Sequence, residues 1–340
     1  MNSKAIRKQL LAAVAMVLVA AVALGSSTYA WFVNNNKVTA NLNNVSATAA
    51  SASLYIKQGK QSTVPNDNLT TDTASNSLSL VPVSNNFSNG SLGEWFTVNK
   101  WENANATGYA QLSGTNKVAA YDYQESKSGD TLTGATIKMS ADNNTRVGAY
   151  VVGEYTLYTA TSNQDVYLDP TEPIIVTEGT LANGTANLTK AIRIAIVATS
   201  GNETKTLYYL PVAETKAGND KISGATGTGS NKVYGVSSAT GITEISAGTD
   251  TSSAGYFIPD TEGVKSLGNW TATAVGNGSY SAGTFKLGTA GNTADTMMDV
   301  KVYVWLEGTD GECLINEGVD GVSGLKVSVN FVGVEPTTTG

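Results

Sequence analysis

The chain contains no histidine and a single cysteine, Cys313, and these two facts limit the chemistry open to it. Ser-His-Asp and Cys-His nucleophile systems, the two-histidine zinc helix and most catalytic zinc sites all require an imidazole. The lone thiol has no partner for an intrachain disulfide, and it reads as a buried small apolar residue, with an exposed thiol joining two chains as the alternative. Ser-Lys arrangements stay formally open, and so does hydrolysis by paired carboxylates. Asp169 with Glu172 and Glu94 with Glu102 are such pairs, but glycosidase chemistry is defined by a carboxyl separation of roughly 5 to 9 Å in space, which spacing along the chain does not supply. Asp310, Glu312, Glu317 and Asp320 offer hard oxygens to calcium, at a spacing unlike that of the EF-hand loop. Trp305, Glu307 and Asp310 form a small motif whose aromatic reads as packing on a strand and whose acids read as a solvated turn. The expectation is a protein without cofactor, metal or catalytic residues.

If side-chain chemistry is not the working principle, the backbone elements must be. Only 14% of the 340 residues are charged, and Gly, Ser, Thr, Asn and Ala dominate, which suits short strands joined by polar turns. The formal net charge is -7; removing Lys4, Arg7 and Lys8 with the first thirty residues leaves 18 basic residues against 28 acidic, a net of -10. Such a surface repels phosphate backbones, so no nucleic-acid partner is expected.

Lys4, Arg7 and Lys8 precede an apolar or small stretch from Leu10 to Leu24, which is followed by Gly25-Ser26-Ser27-Thr28-Tyr29-Ala30. This is the basic, apolar and small-residue order of a secretory signal peptide over residues 1–30. Its apolar run of ~15 residues is shorter than the ~20 needed to span a bilayer. Thr28 at minus three and Ala30 at minus one place the cleavage between Ala30 and Trp31. Glu335 to Gly340 carries neither an apolar tail nor a basic stop, so no membrane attachment is expected after cleavage.

In the mature chain, residues Lys37 to Ile56 alternate as strands do. Val38, Ala40 and Leu42 take one phase and, after a shift, Ala52, Leu54 and Ile56 repeat the pattern. Gln58 to Ala135 reads as strands at Leu78–Val83 and Glu94–Val98 with long surface excursions. Arg146–Ala160 and the pair Ala191–Thr199 with Thr206–Val212, turning at Ser200-Gly201-Asn202-Glu203, read as central strands. Lys216 to Gly255 is a loop-rich insertion, with a flexible linker as runner-up. Trp270–Val275, Thr284–Leu287, Asp299–Glu307 and Gly324–Val334 close the chain, the last two with strict alternation. No repeat of 20 to 50 residues argues for a solenoid. The predicted fold is all-β: one antiparallel, jelly-roll-like sandwich over residues 31–340 with long polar loop insertions, and a two-domain split near residue 215 as the alternative.

Two segments resemble the TasA/camelysin group of exported proteins from Gram-positive bacteria. Leu24-Gly25-Ser26-Ser27-Thr28-Tyr29-Ala30-Trp31-Phe32-Val33-Asn34-Asn35-Asn36 is similar to that group's signal junction, and Val302-Tyr303-Val304-Trp305-Leu306-Glu307-Gly308-Thr309-Asp310 is similar to the penultimate strand of large gut-bacterial proteins with that junction. The resemblance covers about a tenth of the chain. It implies export through a SipW-type signal peptidase, a jelly roll and, for the TasA branch, a biofilm-matrix fibre in which the new N-terminal segment of one subunit completes the sheet of the next. Trp31 to Val45 matches that segment, with Trp31, Phe32, Val33, Val38, Ala40, Leu42 and Val45 as its apolar positions. Trp31 and Phe32 would fill a pocket in the neighbour, or else cover the subunit's own core. The protease reputation of the camelysin branch is not carried over, because a zinc protease without histidine lacks its ligands.

The expected protein is therefore a secreted subunit of an extracellular matrix or cell-surface filament, its principal partner a second copy of itself. The alternative is a monomeric adhesin or glycan-binding module that stacks sugars on some of its fifteen tyrosines.

Overall fold

Alternating apolar residues put one face of a strand into a core, and here the alternating runs fold into two packed sheets. The structure is a computed structural model that describes residues 40–49, 54–80, 83–85, 92, 95–98, 101–103, 110–112, 118–120, 123–138, 146–169, 172–177, 180–181, 192–210, 232–238, 241–246, 255–260, 263–269, 285–307 and 322–336. Among these there is no helix and 71% lie in strands, so the fold is all-β.

The framework strands are β1 (Ala40–Ala49), β2 (Leu54–Gln58), β3 (Thr71–Leu80), β4 (Tyr123–Ser128), β5 (Thr131–Lys138), β6 (Arg146–Thr159), β7 (Gln164–Leu168) and β8 (Ile174–Thr177). They continue with β9 (Thr180–Leu181), β10 (Ile192–Ser200), β11 (Glu203–Leu210), β12 (Gly255–Asp260), β13 (Gly263–Asn269), β14 (Gly288–Ala290), β15 (Met298–Leu306) and β16 (Val322–Val334). One layer runs β13-β12-β11-β10-β15-β6, with β2 and β5 side by side on the far edge of β6 and β4 outside β5. The other runs β3-β1-β16-β7-β14, with β8 and β9 also along β16. The layers meet where Leu80 of β3 lies level with Gly148 of β6. Most pairings are antiparallel; β1 lies parallel to β16.

The main core lies between the layers. Val300, Val302 and Val304 of β15, Ile194 and Ile196 of β10 and Leu157 of β6 face Val45 and Ala47 of β1 and Val327, Val329 and Phe331 of β16, all fully buried. Burying each of the larger side chains contributes about 2 kcal/mol before the entropy of ordering is subtracted.

A second apolar cluster covers the opposite face of β6, β10 and β15. Trp95 stacks on Tyr150 at 4.4 Å between ring centroids and meets Trp305 edge-on at 5.4 Å, and Tyr208 joins them. Trp95 belongs to a small sheet formed by 84–85, 95–98 and 118–120. Within the stretch from Gln58 to Ala135, the run expected as a strand at Glu94–Val98 thus supplies core to the sandwich through Trp95, and both faces of the central strands are buried. This explains why β6 is an almost unbroken run of buried residues.

Strand bounds mostly follow the expected runs. The long run Lys37 to Ile56 is divided into β1 and β2, and β14 starts just beyond the run expected at 284–287. Within Lys216–Gly255, residues 232–238 pair with 241–246 as a hairpin. The run Trp270–Val275 lies outside the described residues.

Candidate functional site

Of the residues singled out for chemistry, the structure describes the side chains of Asp169, Glu172, Trp305 and Glu307. Asp169 and Glu172 share a turn in which the Glu172 N–H donates to Asp169 Oδ1 at 3.1 Å, the local bond by which an Asp side chain shapes a loop. Glu94 lies outside the described residues, as does the side chain of Glu102, and so do Asp310, Glu312, Glu317, Asp320 and Cys313. Among the described residues, no group of three His, Cys, Asp or Glu side chains is arranged to hold a metal.

Glu307 corrects one expectation. It does not sit in a solvated turn but is fully buried, accepting a hydrogen bond from Trp305 Nε1 at 3.2 Å. The physical reason is the second apolar cluster, which covers the end of β15 and continues past Trp305. A second buried carboxylate, Glu154 on β6, accepts from the Leu132 N–H at 2.8 Å and faces Lys301 Nζ at 3.4 Å. It fastens β5 to the central strands. Tyr150, Tyr155, Tyr158, Tyr208 and Tyr209 are likewise interior, so their rings pack against protein rather than face solvent.

The cleavage-site residue Ala30 lies outside the described residues, as does the start of the segment marked as donated, Trp31, Phe32, Val33 and Val38; that segment enters the structure at Ala40. From there it becomes β1, which lies inside a sheet and not on its edge. On one side it pairs antiparallel with β3 (Val45 opposite Ala74), and on the other it pairs parallel with β16 (Val45 beside Val327). Its two neighbours are the third and the last strands of the framework. The slot for β1 is therefore built by segments far apart in the chain, and it would expose two unpaired edges if β1 left it.

Several side chains hold the lower half of β1. Ser46 and Ser328 hydroxyls are 2.6 Å apart, and Thr48 and Thr71 hydroxyls 3.3 Å apart, linking β1 to β16 and β3 respectively. The hydroxyl of Tyr155 reaches across the sandwich from β6, donates to the Val45 carbonyl and accepts from the Ala74 N–H at 3.2 Å. Burial drives its pKa far above the ordinary phenol value, so it is a neutral donor throughout the physiological range.

The Tyr155 ring has room because Gly153, two residues back on the same strand face, has no side chain. A Cβ there would lie 2.7 Å from Tyr155 Cε2 and 2.8 Å from Val45 Cγ1. Sequence reasoning overlooked Gly153, Tyr155, Ser46 and Ser328. The Gly-x-Tyr spacing inside a strand run was the available signal, since glycine in a strand interior marks close approach of another group.

An irregularity crosses the sheet at the same height. Between the parallel strands, Gly324 of β16 and Asn43 of β1 both fall out of register, and on the other side Asn43 alone stands opposite two residues of β3, Asn76 and Ser77. Beyond it, the buried positions of β1 are the odd-numbered Val45, Ala47 and Ala49. Compared with family models, with curated proteins and with solved structures, the chain matches none.

Proposed function

We propose that the exported, mature chain is a structural subunit of an extracellular filament, assembled when the N-terminal segment of one copy enters the sheet of the next. It acts by strand hydrogen bonding and not by turnover. The observation that carries this reading is the position of β1. The first strand among the described residues sits between β3 and β16, parallel to the latter, and in the sequence it follows the Trp31–Val38 segment with its apolar Trp31, Phe32 and Val33.

A strand held between two sequence-distant neighbours can be supplied equally well by its own chain or by an identical one, because the hydrogen bonds and pockets are the same. Head-to-tail supply does not close into a ring unless the rotation happens to permit it, and so it propagates. The leader over residues 1–30, its small-residue junction at Ala30 and the acidic mature surface support export to the cell surface or matrix of a Gram-positive bacterium. The similarity of that junction to the TasA/camelysin group supports a biofilm-matrix role.

The test compares the mature protein starting at Trp31 with a truncation starting at Ala40, by negative-stain electron microscopy and sedimentation. The truncation stops at residue 40 because β1 belongs to the sandwich core. The expected result is filaments from the first and folded monomers from the second. Filaments of equal yield from both would rule the reading out.

A further inference from the structure

We propose that Asn43 is the crossover point of the exchange: residues upstream of it pass to a second copy of this chain, while Asn44–Ala49 stays in its own subunit. This rests on the filament reading above and narrows the donated segment, removing Val45 from it.

Three observations locate the boundary. First, all three strands of the slot are irregular at about one level: Asn43 of β1 and Gly324 of β16 fall out of register between the parallel pair, and Asn43 alone stands opposite Asn76 and Ser77 of β3. A bulge interrupts the ladder and bends the strand, so the chain diverges there at less cost than within a regular ladder. Second, β1 is fixed immediately below that level. Val45 is fully buried, its carbonyl accepts from the Tyr155 hydroxyl of the opposite layer, and Ser46 and Thr48 bond side chain to side chain with Ser328 and Thr71. Pulling the lower half out would strand the Tyr155 hydroxyl and open the core at Val45 and Ala47, whereas the upper half leaves at the level where the ladder is already broken. Third, the sequence changes character across the boundary. Asn41, Asn43 and Asn44 surround Leu42, and Asn tolerates the irregular backbone conformations that a crossover requires.

Cysteine pairs in a Cys313→Ser background distinguish the two halves, because the introduced thiols are then the only ones. The register places Asn41 beside Ser323 above the bulge and Ser46 beside Ser328 below it. Filaments are assembled from equal mixtures of N41C with S323C chains, and separately of S46C with S328C chains, then oxidised and run on non-reducing gels. The first mixture is expected to give interchain dimers and the second none. As geometric controls, the double variants N41C/S323C and S46C/S328C are oxidised as monomers. The first is expected to close within the chain and lose filament yield at least tenfold, and the second to close and assemble normally.

Interchain dimers from the S46C and S328C mixture would overturn the crossover at Asn43 while leaving whole-strand exchange intact. Dimers absent from the N41C and S323C mixture, in filaments that do form and whose double-variant control does close, would overturn it as well. Failure of the unmodified mature chain to form filaments would defeat the filament reading and this inference together.

Discussion

At the scale of single residues, Tyr155 is the clearest case of a polar atom placed for a reason. Its hydroxyl serves the Val45 carbonyl and the Ala74 N–H at once, tying β6 to β1 and β3. Replacing Tyr155 by Phe leaves a buried N–H without that partner, a loss of about 1 to 3 kcal/mol, which urea unfolding should show as a lower midpoint with an unchanged slope. Gly153→Val should cost at least as much, because the added methyls compete with the Tyr155 ring and with Val45 for the same space; overpacking of this kind typically costs about 1 to 3 kcal/mol. A stability equal to the parent in either variant would mean that the cross-layer contact is incidental.

The interior tyrosines also predict an alkaline limit. Burial pushes Tyr209 up to about 12, and Tyr155 and Tyr208 are raised as well. A phenol whose folded pKa exceeds its unfolded value of 10.0 contributes stability that is complete below pH 10 and disappears as pH climbs toward the folded value. Each such tyrosine removes about 1.4 kcal/mol per pH unit in that window. The urea midpoint should therefore be flat to pH 9 and fall steeply above 10, with a shallower fall in Tyr209→Phe. A midpoint unchanged at pH 11 would contradict this.

At the scale of elements, period-two alternation was enough to find β15 and β16, because the apolar stripe and its polar complement are regular there, whereas β6 and β10 stood out as longer runs rich in β-branched and aromatic residues. The hairpin of β10 and β11 was equally readable. Gly201 adopts φ +59°, the left-handed conformation that glycine accepts without strain, and Ser200 pairs with Glu203 across the turn.

Three features were not readable, each for a physical reason. Between β1 and β2 the sequence reads Ala50-Ser51-Ala52-Ser53, small residues that fit a strand or a connection equally well. The cluster around Trp95 depends on which face of β6 and β15 is covered, and alternation does not say that both are. Glu307 looked solvated because charge after a strand usually marks its exit, while the partner that keeps it buried, the Trp305 indole N–H, was hidden within the same run. The irregularity at Asn43 is of another kind: it is a property of register and shows only against two neighbouring strands.

At the scale of the whole molecule, the sandwich was foreseeable from composition and alternation, and the slot for β1 was not. Nothing local in Val322–Val334 or Thr71–Leu80 announces that these strands receive the first one between them, since strand order is decided by long-range pairing. That order nevertheless gives the molecule its proposed behaviour, because an N-terminal strand inside a sheet joins the subunit's integrity to the identity of whichever chain supplies it. The most direct test is cryo-electron microscopy of what the mature chain beginning at Trp31 assembles into. The account predicts a filament in which backbone density for the Trp31–Leu42 segment of one subunit lies between β3 and β16 of its neighbour. A uniform monomer at high concentration, or a filament whose subunits meet only through their outer faces, would contradict it.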